Sequence, residues 1–225
     1  RGDRLDFILN DILPYDRTPS QWGGIFFRSE SYNNIMDNVI VRNGKTGLTF
    51  EKSSPDESKL KLNNSQITNM GENLFFALDC NIEVTNTELT NAGGGVVVLI
   101  GGEYKFIHCT LANFMTLEKR TTSCLTMANN ANNEAHPLNA TFDNCIIDGS
   151  FDAGKEEYKG ELNLSIDGAA SIEYIFNHCV VKTNGNNNDH FKEVLFTNVS
   201  PSYRLKGGEK NKYRFDFRPD SLTTL

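Results

Sequence analysis

The sequence of 225 residues contains no long hydrophobic run and little histidine or tryptophan. Its longest apolar stretches, such as Val96–Ile100, fall far short of the ~20 residues that a membrane-spanning helix requires. Cysteine occurs 5 times, but no CxxC or HxxxH spacing is present, so no zinc site is predicted. No positively charged start leads into an apolar signal segment. Because the first residue, Arg1, is not methionine, we expect a matured or trimmed chain.

Positive charge is also scarce. Lysine and arginine total 22 against 29 aspartates and glutamates, which gives a net charge of −7. A broad phosphate-binding surface is not expected at this charge, so nucleic acid is not predicted as a partner. The length suits one hydrophobic core better than two, and we predict a single domain over residues 1–225.

The sequence repeats itself, and it has no helical periodicity long enough to form a crossover. Residues 60–69 recur as 82–91 and again as 104–113, each time with an offset of 22 residues. The pattern returns at 142–147 and 176–181 after longer gaps, with weaker copies at 38–43 and 195–199. A fixed period of this length is typical of solenoid proteins.

The hydrophobic pattern within one repeat indicates three short strands separated by three corners. Leu60 and Leu62 lie on one face of a strand, whereas Ile67 is out of phase with them. Such a slip reverses the buried face unless the backbone turns, which places a corner at residues 63–64. The turn residues 69–73 mark a second slip. The pattern therefore predicts an all-β parallel β-helix, with an irregular segment at 1–20, coils at 21–200 and a tail at 201–225 that packs on the solenoid.

Equivalent residues of successive coils should stack into columns. The predicted core columns are Leu62, Val84, Phe106, Phe142 and Phe176, and Ile67, Leu89, Leu111, Ile147 and Val181. Ser65, Thr87, Cys109, Cys145 and Cys179 form a column of small inward residues. Because parallel Cβ vectors disfavour a disulfide, we expect these cysteines to be reduced and buried, and Cys80 and Cys124 to be single buried thiols.

Asn69, Asn91 and Asn113 share a corner, where asparagine tolerates left-handed backbone.

Four segments carry a family resemblance: Gln21–Ile25, Ser31–Asn34, Phe142–Ser150 and Tyr213–Ser221. They resemble the right-handed parallel β-helix proteins of the pectate-lyase-like superfamily, especially secreted lipoproteins of Bacteroidetes. The resemblance implies a right-handed coil and an exported protein, extracellular or at the outer-membrane surface. It implies membrane attachment only through a lipid anchor outside this chain. It implies no reaction, because the superfamily combines several enzyme classes with proteins of no known chemistry.

Two neighbouring coils carry insertions at the same corner. Two earlier coils pass from the corner asparagine to the next strand in five residues, whereas Asn113 to Leu125 takes 12 and Gly149 to Leu162 takes 13. Insertions of this kind often mark the binding face of a solenoid. The predicted ligand-binding residues, suited to a polysaccharide or oligosaccharide, are Phe114, Glu118, Arg120, Phe151, Asp152, Glu156, Glu157 and Tyr158. The alternative is that Phe114 and Phe151 fold back on the coil while the charges stay in water.

No catalytic residue, metal site or cofactor is predicted. Glycosidic chemistry needs two carboxylates about 5 to 9.5 Å apart, whereas Asp79 and Asp167 are expected three coils apart, at roughly 14 Å. Asp148 is expected beside Lys182 as a stabilising charge pair. We therefore predict a non-catalytic extracellular or cell-surface module that contacts glycans. One alternative is a polysaccharide lyase or glycoside hydrolase that uses the acidic residues of the two inserted loops, and another is a structural spacer without a ligand.

Two strands, at residues 74–78 and 96–100, are apolar on both faces. We assign Phe75, Ala77, Val97 and Leu99 to the outer face, where they would form an apolar patch that needs a cover. Residues 203–217 of the chain itself are one candidate cover, and coverage by the chain favours a monomer. A dimer through the Phe75 and Val97 face is the alternative.

Overall fold

Hydrogen bonds between successive coils form three parallel sheets, as expected for a right-handed parallel β-helix with three strands per coil. The computed structural model describes residues 17–154, 159–168, 170–206 and 215–220. Among these residues, no helix is long and apolar enough to span a membrane. The fold class predicted from the repeat is therefore confirmed.

Each sheet takes one strand from each coil that it spans. The first sheet contains β1 (Ile25–Phe27), β4 (Leu48–Phe50), β7 (Phe75–Leu78), β10 (Val97–Ile100), β13 (Leu125–Ala128) and β18 (Leu162–Ser165). The second contains β2 (Asn34–Asp37), β5 (Ser58–Asn63), β8 (Asn81–Thr85), β11 (Gly102–Ile107), β16 (Leu138–Asp143), β19 (Ile172–Asn177) and β21 (Phe191–Lys192). The third contains β3 (Ile40–Arg42), β6 (Gln66–Met70), β9 (Glu88–Ala92), β12 (Thr110–Asn113), β17 (Ile146–Gly149), β20 (Val180–Val181) and β22 (Leu195–Phe196). Two antiparallel pairs complete the set: β14 (Asn130–Ala131) with β15 (Glu134–Ala135), and β23 (Tyr203–Lys206) with β24 (Phe215–Pro219).

The strand register confirms both predicted core columns. Leu62 pairs with Val84, and Val84 pairs with Phe106, so that residues 22 apart in the sequence lie above one another. Phe142 continues this column, with its ring centroid 5.0 Å from that of Phe106 and 4.6 Å from that of Phe176. Every member of both columns is fully buried. Each such side chain contributes about 1.5–3 kcal/mol of hydrophobic stabilisation, so the columns form the core of the solenoid.

The corner between the second and third sheets is one residue with left-handed backbone in every coil. These residues are Asn38, Asn64, Asn86, His108, Asn144, His178 and Glu193, all with φ between 49° and 54°. Asparagine is frequent here because it adopts this conformation at low cost. The Asn86 amide Nδ2 donates to Asn64 Oδ1 at 3.3 Å, and Asn64 Nδ2 donates to Asp37 Oδ1 at 3.0 Å. The predicted corner at residues 63–64 is therefore present, and its side chains bond along the axis.

The predicted asparagine corner between the third and first sheets is present in part. Asn43, Asn69 and Asn91 have φ values of 64°, 60° and 61°, and Asn69 Nδ2 donates to Asn43 Oδ1 at 2.8 Å. Asn113 is outside the positive-φ residues of the described chain. Its amide instead donates to the carbonyl of Ala92 at 3.0 Å, at the point where the chain leaves for the first inserted loop.

The five cysteines are free and buried. Cys109, Cys145 and Cys179 continue the inward column of Ser65 and Thr87, and the Cys145 amide donates to Cys179 Sγ at 3.4 Å. Each thiol or hydroxyl in this column donates to the carbonyl two residues before it. The column therefore requires a small side chain that can donate, and this shared need explains why serine, threonine and cysteine all occur there.

The assignment of Phe75, Ala77, Val97 and Leu99 to the outer face is wrong. All four are fully buried in the core, and their neighbours Phe76, Leu78, Val98 and Ile100 take the half-buried outer positions. The cause lies at the corner, where Leu74 and Val96 are also fully buried. Two consecutive residues can both point inward where the backbone turns, which shifts the alternation by one. Neither Phe75 nor Val97 therefore lies on the outer face, where the sequence placed a possible dimer contact.

The β23–β24 hairpin lies on the third sheet, away from the first. Tyr203 and Phe217 pack on Ala112 together with Phe114 and Ile146. The buried Asp148–Lys182 charge pair predicted from the sequence is present nearby, with Lys182 Nζ 3.9 Å from Asp148 Oδ1. Burial and the Asp148 charge raise the pKa of the Tyr203 hydroxyl far above its usual value. The hairpin therefore covers the part of the third sheet around Ala112 and Ile146 and is held there by apolar contacts.

The stacked aromatic column leads to a stability prediction. Replacing Phe142 with alanine should lower the free energy of unfolding by about 3–5 kcal/mol, because a fully buried ring between two neighbours leaves a cavity. Urea unfolding of the purified protein measures this change. Lys105→Ala, on the exposed face of the neighbouring strand, should change stability by less than about 0.5 kcal/mol. Equal effects of the two substitutions would contradict the assigned core.

Candidate functional site

The two inserted loops lie side by side at the corner between the third and first sheets. The first leaves β12 at Asn113 and returns at Leu125, and the second leaves β17 at Gly149 and returns at Leu162. Of the predicted ligand-binding residues, Phe114, Glu118, Arg120, Phe151 and Asp152 are described, whereas Glu156, Glu157 and Tyr158 lie outside the described residues.

A buried ion pair fastens the two loops to each other. Arg120 Nη2 lies 2.7 Å from Glu161 Oε2, and the two side chains are 3% and 0% exposed. Arg120 Nη1 also donates to the Asn113 carbonyl at 2.6 Å and to Ser150 Oγ at 2.8 Å. The Glu161 carboxylate in turn accepts the amide of Phe151 at 2.7 Å. The Arg120 guanidinium thus forms its hydrogen bonds and ion pair with groups inside the protein. Its partner Glu161 was not among the residues that the sequence analysis selected.

Both loop aromatics fold back on the protein. The Phe151 ring lies 4.2 Å from the Arg120 guanidinium carbon, in cation–π contact. The Phe114 ring stacks at 5.8 Å on Phe217 of the hairpin and meets Tyr203 edge-on at 6.3 Å. Glu118 and Asp152 remain exposed. This placement favours the alternative in which the aromatics pack on the coil and the loop charges stay in water.

A different concave surface, which we call the outer groove, lies on the third sheet. It has a volume of about 710 Å³. Its floor is the outer face of β3, β6 and β9, one wall is the first inserted loop at residues 115–117, and the other is the β23–β24 hairpin. The lining residues are Arg17, Ile40, Arg42, Asn43, Gln66, Thr68, Asn69, Glu88, Asn91, Met115, Thr116, Leu117, Leu205, Phe215, Asp216 and Arg218. The groove thus joins amide and hydroxyl groups, apolar side chains and charges of both signs.

Two carboxyl groups in the outer groove have different environments. Burial raises the pKa of Glu88, assisted by the negative charge of Asp216 and opposed by a hydrogen bond from Thr90 Oγ1 at 3.1 Å. A hydrogen bond from Arg218 lowers the pKa of Asp216, whose two oxygens accept Arg218 Nε at 2.8 Å and Nη2 at 2.5 Å. Asp216 is therefore held ionised, whereas Glu88 protonates more readily than a free glutamate.

A second charged cluster, missed in the sequence, lies at the corner between the first and second sheets. His136 Nδ1 lies 2.8 Å from Asp79 Oδ2, and the two side chains are 5% and 14% exposed. Lys52 Nζ lies 3.2 Å from the same oxygen. The pair ties the segment that carries β14 and β15 to the solenoid. Asp79 follows β7 and Asp167 follows β18, with β10 and β13 between these strands, so the two aspartates lie three coils apart as expected.

The described residues contain no group of three or more His, Cys, Asp or Glu side chains arranged to hold a metal ion. Comparisons with protein-family models, with curated proteins and with solved structures found no match. The structure therefore shows a parallel β-helix architecture, and architecture alone does not specify an activity.

The buried ion pair predicts strong coupling between the two loops. Arg120→Met should lower the free energy of unfolding by about 3–5 kcal/mol, because it leaves the Glu161 charge buried without its cation. The double variant Arg120→Met/Glu161→Leu should be more stable than Arg120→Met alone, since no unpaired charge remains. Urea unfolding of the two single variants and the double variant measures the coupling.

The exposed pair of Arg28 with Glu51, whose side chains are 71% and 39% exposed, serves as the control. Arg28→Met should cost no more than about 1 kcal/mol. Additive effects of the Arg120 and Glu161 substitutions would show that the loops are not joined through this pair.

Proposed function

We propose that this protein is a non-catalytic β-helix module of the extracellular space or cell surface that contacts glycans, and that the outer groove is the contact site. The groove volume of about 710 Å³ carries the proposal, together with its mixed lining. Pockets of about 300–1,000 Å³ that combine apolar surface with a few polar groups are typical of small-ligand sites. A short stretch of oligosaccharide matches these dimensions.

The chemistry of the groove floor suits a sugar. Gln66 is exposed and Thr68 is half-buried, so an amide and a hydroxyl are presented to a ligand. Ile40 is 69% exposed at the same surface, and Phe215 is half-buried on the hairpin wall. Sugar rings offer hydroxyl groups at their edges and apolar C–H faces, so both kinds of side chain find partners. The location outside the cell rests on the family resemblance, which also supports attachment through a lipid anchor outside this chain.

A second candidate function, a glycoside hydrolase, is favoured by the two unlike carboxyl groups in the same groove. Glu88, with its raised pKa, has the property of a general acid, and the ionised Asp216 has that of its partner. The acidic loop residues named from the sequence are less suited, because Glu118 and Asp152 are exposed to water. Release of reducing sugar from a panel of polysaccharides, abolished by Glu88→Gln with binding retained, would establish the hydrolase in place of the non-catalytic module.

Glycan binding is tested on an array of neutral, carboxylated and sulfated oligosaccharides with the whole chain. The double variant Ile40→Ala/Gln66→Ala should weaken binding of the best array member about tenfold, through loss of apolar contact and one hydrogen bond. Titration calorimetry with that oligosaccharide measures the change.

A matched control comes from the second sheet of the solenoid. Ile35 is 73% exposed there, Asn139 is exposed on the same sheet, and neither lines the groove. Ile35→Ala/Asn139→Ala should leave the affinity unchanged. Binding that is lost equally in both double variants, or absent from every array member, would contradict the proposed site.

A further inference from the structure

Four polar side chains meet beneath the β23–β24 hairpin: Asp148, Lys182, Ser200 and Tyr203. None of the four lines the outer groove. Asp148 pairs in register with Ala112, on which Tyr203 of the hairpin packs. The side chains of Asp148 and Lys182 are only 1% and 9% exposed. Solvent therefore has little access to the space between these two charged groups.

An amine and a carboxyl group face each other in this cluster. Ile147 pairs with Val181 across the parallel strands β17 and β20, so the residues that follow them, Asp148 and Lys182, are neighbours in successive coils. Lys182 Nζ lies 3.9 Å from Asp148 Oδ1. A hydrogen bond of 2.6 Å from Nζ to the Gly149 carbonyl holds the amine in place. Two groups fixed in this way react as if each were present at a concentration far above any in solution.

The Ser200 hydroxyl bridges the two groups. It donates to Asp148 Oδ1 at 2.9 Å and accepts from Lys182 Nζ at 3.3 Å. A hydroxyl in this position can pass a proton from the ammonium to the carboxylate, which leaves a neutral amine and a carboxylic acid. The neutral pair avoids the cost of keeping two charges out of water. It is also the reactive pair, because an amine is a nucleophile only after it has lost its extra proton.

The second carboxyl oxygen of Asp148 lacks a partner. Among the described residues, Asp148 Oδ2 and the Tyr203 hydroxyl are buried polar atoms that make no hydrogen bond. Burial and then the Asp148 charge raise the pKa of that hydroxyl, so the two groups lie close together. A buried carboxylate with an unpaired oxygen costs free energy. A reaction that removes its charge relieves this cost.

We propose that Lys182 and Asp148 join in an intramolecular isopeptide bond, with Ser200 as the proton relay. After the first proton transfer, Lys182 Nζ attacks Cγ of Asp148, so that an Nζ–Cγ bond forms and the Cγ–Oδ1 bond breaks. The nitrogen loses one further proton, which Ser200 delivers to the departing hydroxyl, and one water molecule leaves. Oδ2 remains as the carbonyl oxygen of the amide. The reaction needs no oxidant, reductant or other reactant.

The bond closes a covalent loop of residues 148–182, which contains the second inserted loop and the strands β18 and β19. It restricts the unfolded chain as a disulfide does. All five cysteines of this protein are free, so the isopeptide would supply a covalent link between coils that the thiols do not. The bond does not depend on glycan binding, and the failure of either proposal leaves the other intact.

The mass of the whole natural chain tests the bond directly. Mass spectrometry under denaturing conditions should give a mass below that of the sequence by one water molecule, about 18 Da. Asp148→Asn should form the same bond with loss of ammonia, about 17 Da. Lys182→Arg keeps the charge pair but should have the full mass of its sequence, because a guanidinium stays protonated and does not attack. A natural chain at full mass overturns the proposal.

Peptide mapping locates the bond. Trypsin does not cleave after an acylated lysine, so residues 121–155 should be recovered joined to residues 160–192. An exposed pair serves as the matched control: Lys45 Nζ lies 3.5 Å from Glu72 Oε1, closer than the buried pair, but the side chains are 63% and 55% exposed. Their peptides should be recovered separately. A loss of water at any other position, or a link at the control pair as well, contradicts the assignment to this site.

The role of Ser200 is tested through the rate of bond formation in newly synthesised chains, followed by mass after cell-free synthesis. Ser200→Ala should slow the loss of water about a hundredfold, and Ser200→Thr should restore the rate. A structural role for Ser200 would lower the melting temperature without changing this rate. If Ser200→Ala reacts as fast as the natural chain, the relay is overturned and the bond itself stands.

Discussion

The hydrogen bonds that run between successive coils are the constraint on which the rest of the structure depends. Because each strand pairs in parallel with strands of the coils before and after it, a residue in one coil is forced to lie above its equivalent in the previous one. The chain can satisfy this only if every coil turns its corners at the same place. The left-handed residue between the second and third sheets, present from Asn38 to Glu193, meets that requirement with a φ that varies by only 5°. Asparagine and histidine supply it with little strain, and asparagine amides add bonds along the axis.

Stacking makes the interior uniform and leaves the exterior free to vary. Inside, each column keeps one character, either apolar or small, since every position must fit the neighbours above and below it. Outside, no such demand exists, and the chain inserts two loops at one corner and folds a hairpin over one sheet. The loops do not hang free. Arg120 and Glu161 join them in a buried pair, whose contribution lies in the contacts that it specifies more than in net stability.

The outer groove results from this freedom. Its floor belongs to the regular coils, while its walls come from an inserted loop and from the hairpin, which are far apart in the chain. The floor alone would be a nearly flat sheet face that holds a ligand weakly. Walls of Leu117 on one side and Phe215 on the other make it concave. Glu88 is half-buried on the floor, so that its carboxyl differs from one in water. Shape, local charge and a group that responds to pH therefore depend on the same two additions to the solenoid.

The sequence by itself determined the architecture. The 22-residue repeat, the phase slips and the columns predicted the parallel β-helix, its core residues, the buried cysteines and the Asp148–Lys182 pair, because a repeated pattern carries its own register. The assignment of inward and outward faces from the sequence was wrong for Phe75 and Val97. At the corner before them, two successive residues face inward, so the alternation of apolar and polar positions no longer indicates which side chains are buried.

The site is another matter. Arg42, Gln66 and Glu88 could be placed on an outer face by parity, but no local pattern marked them as neighbours of Phe215 and Arg218. The roles of Phe114, Arg120 and Phe151 likewise depend on partners far along the chain. Only the tertiary structure decided these contacts. The packing of a hairpin or a loop on a sheet depends on the shapes and charges of the two surfaces in contact, and the repeat in the sequence contains no information about which distant segments come into contact.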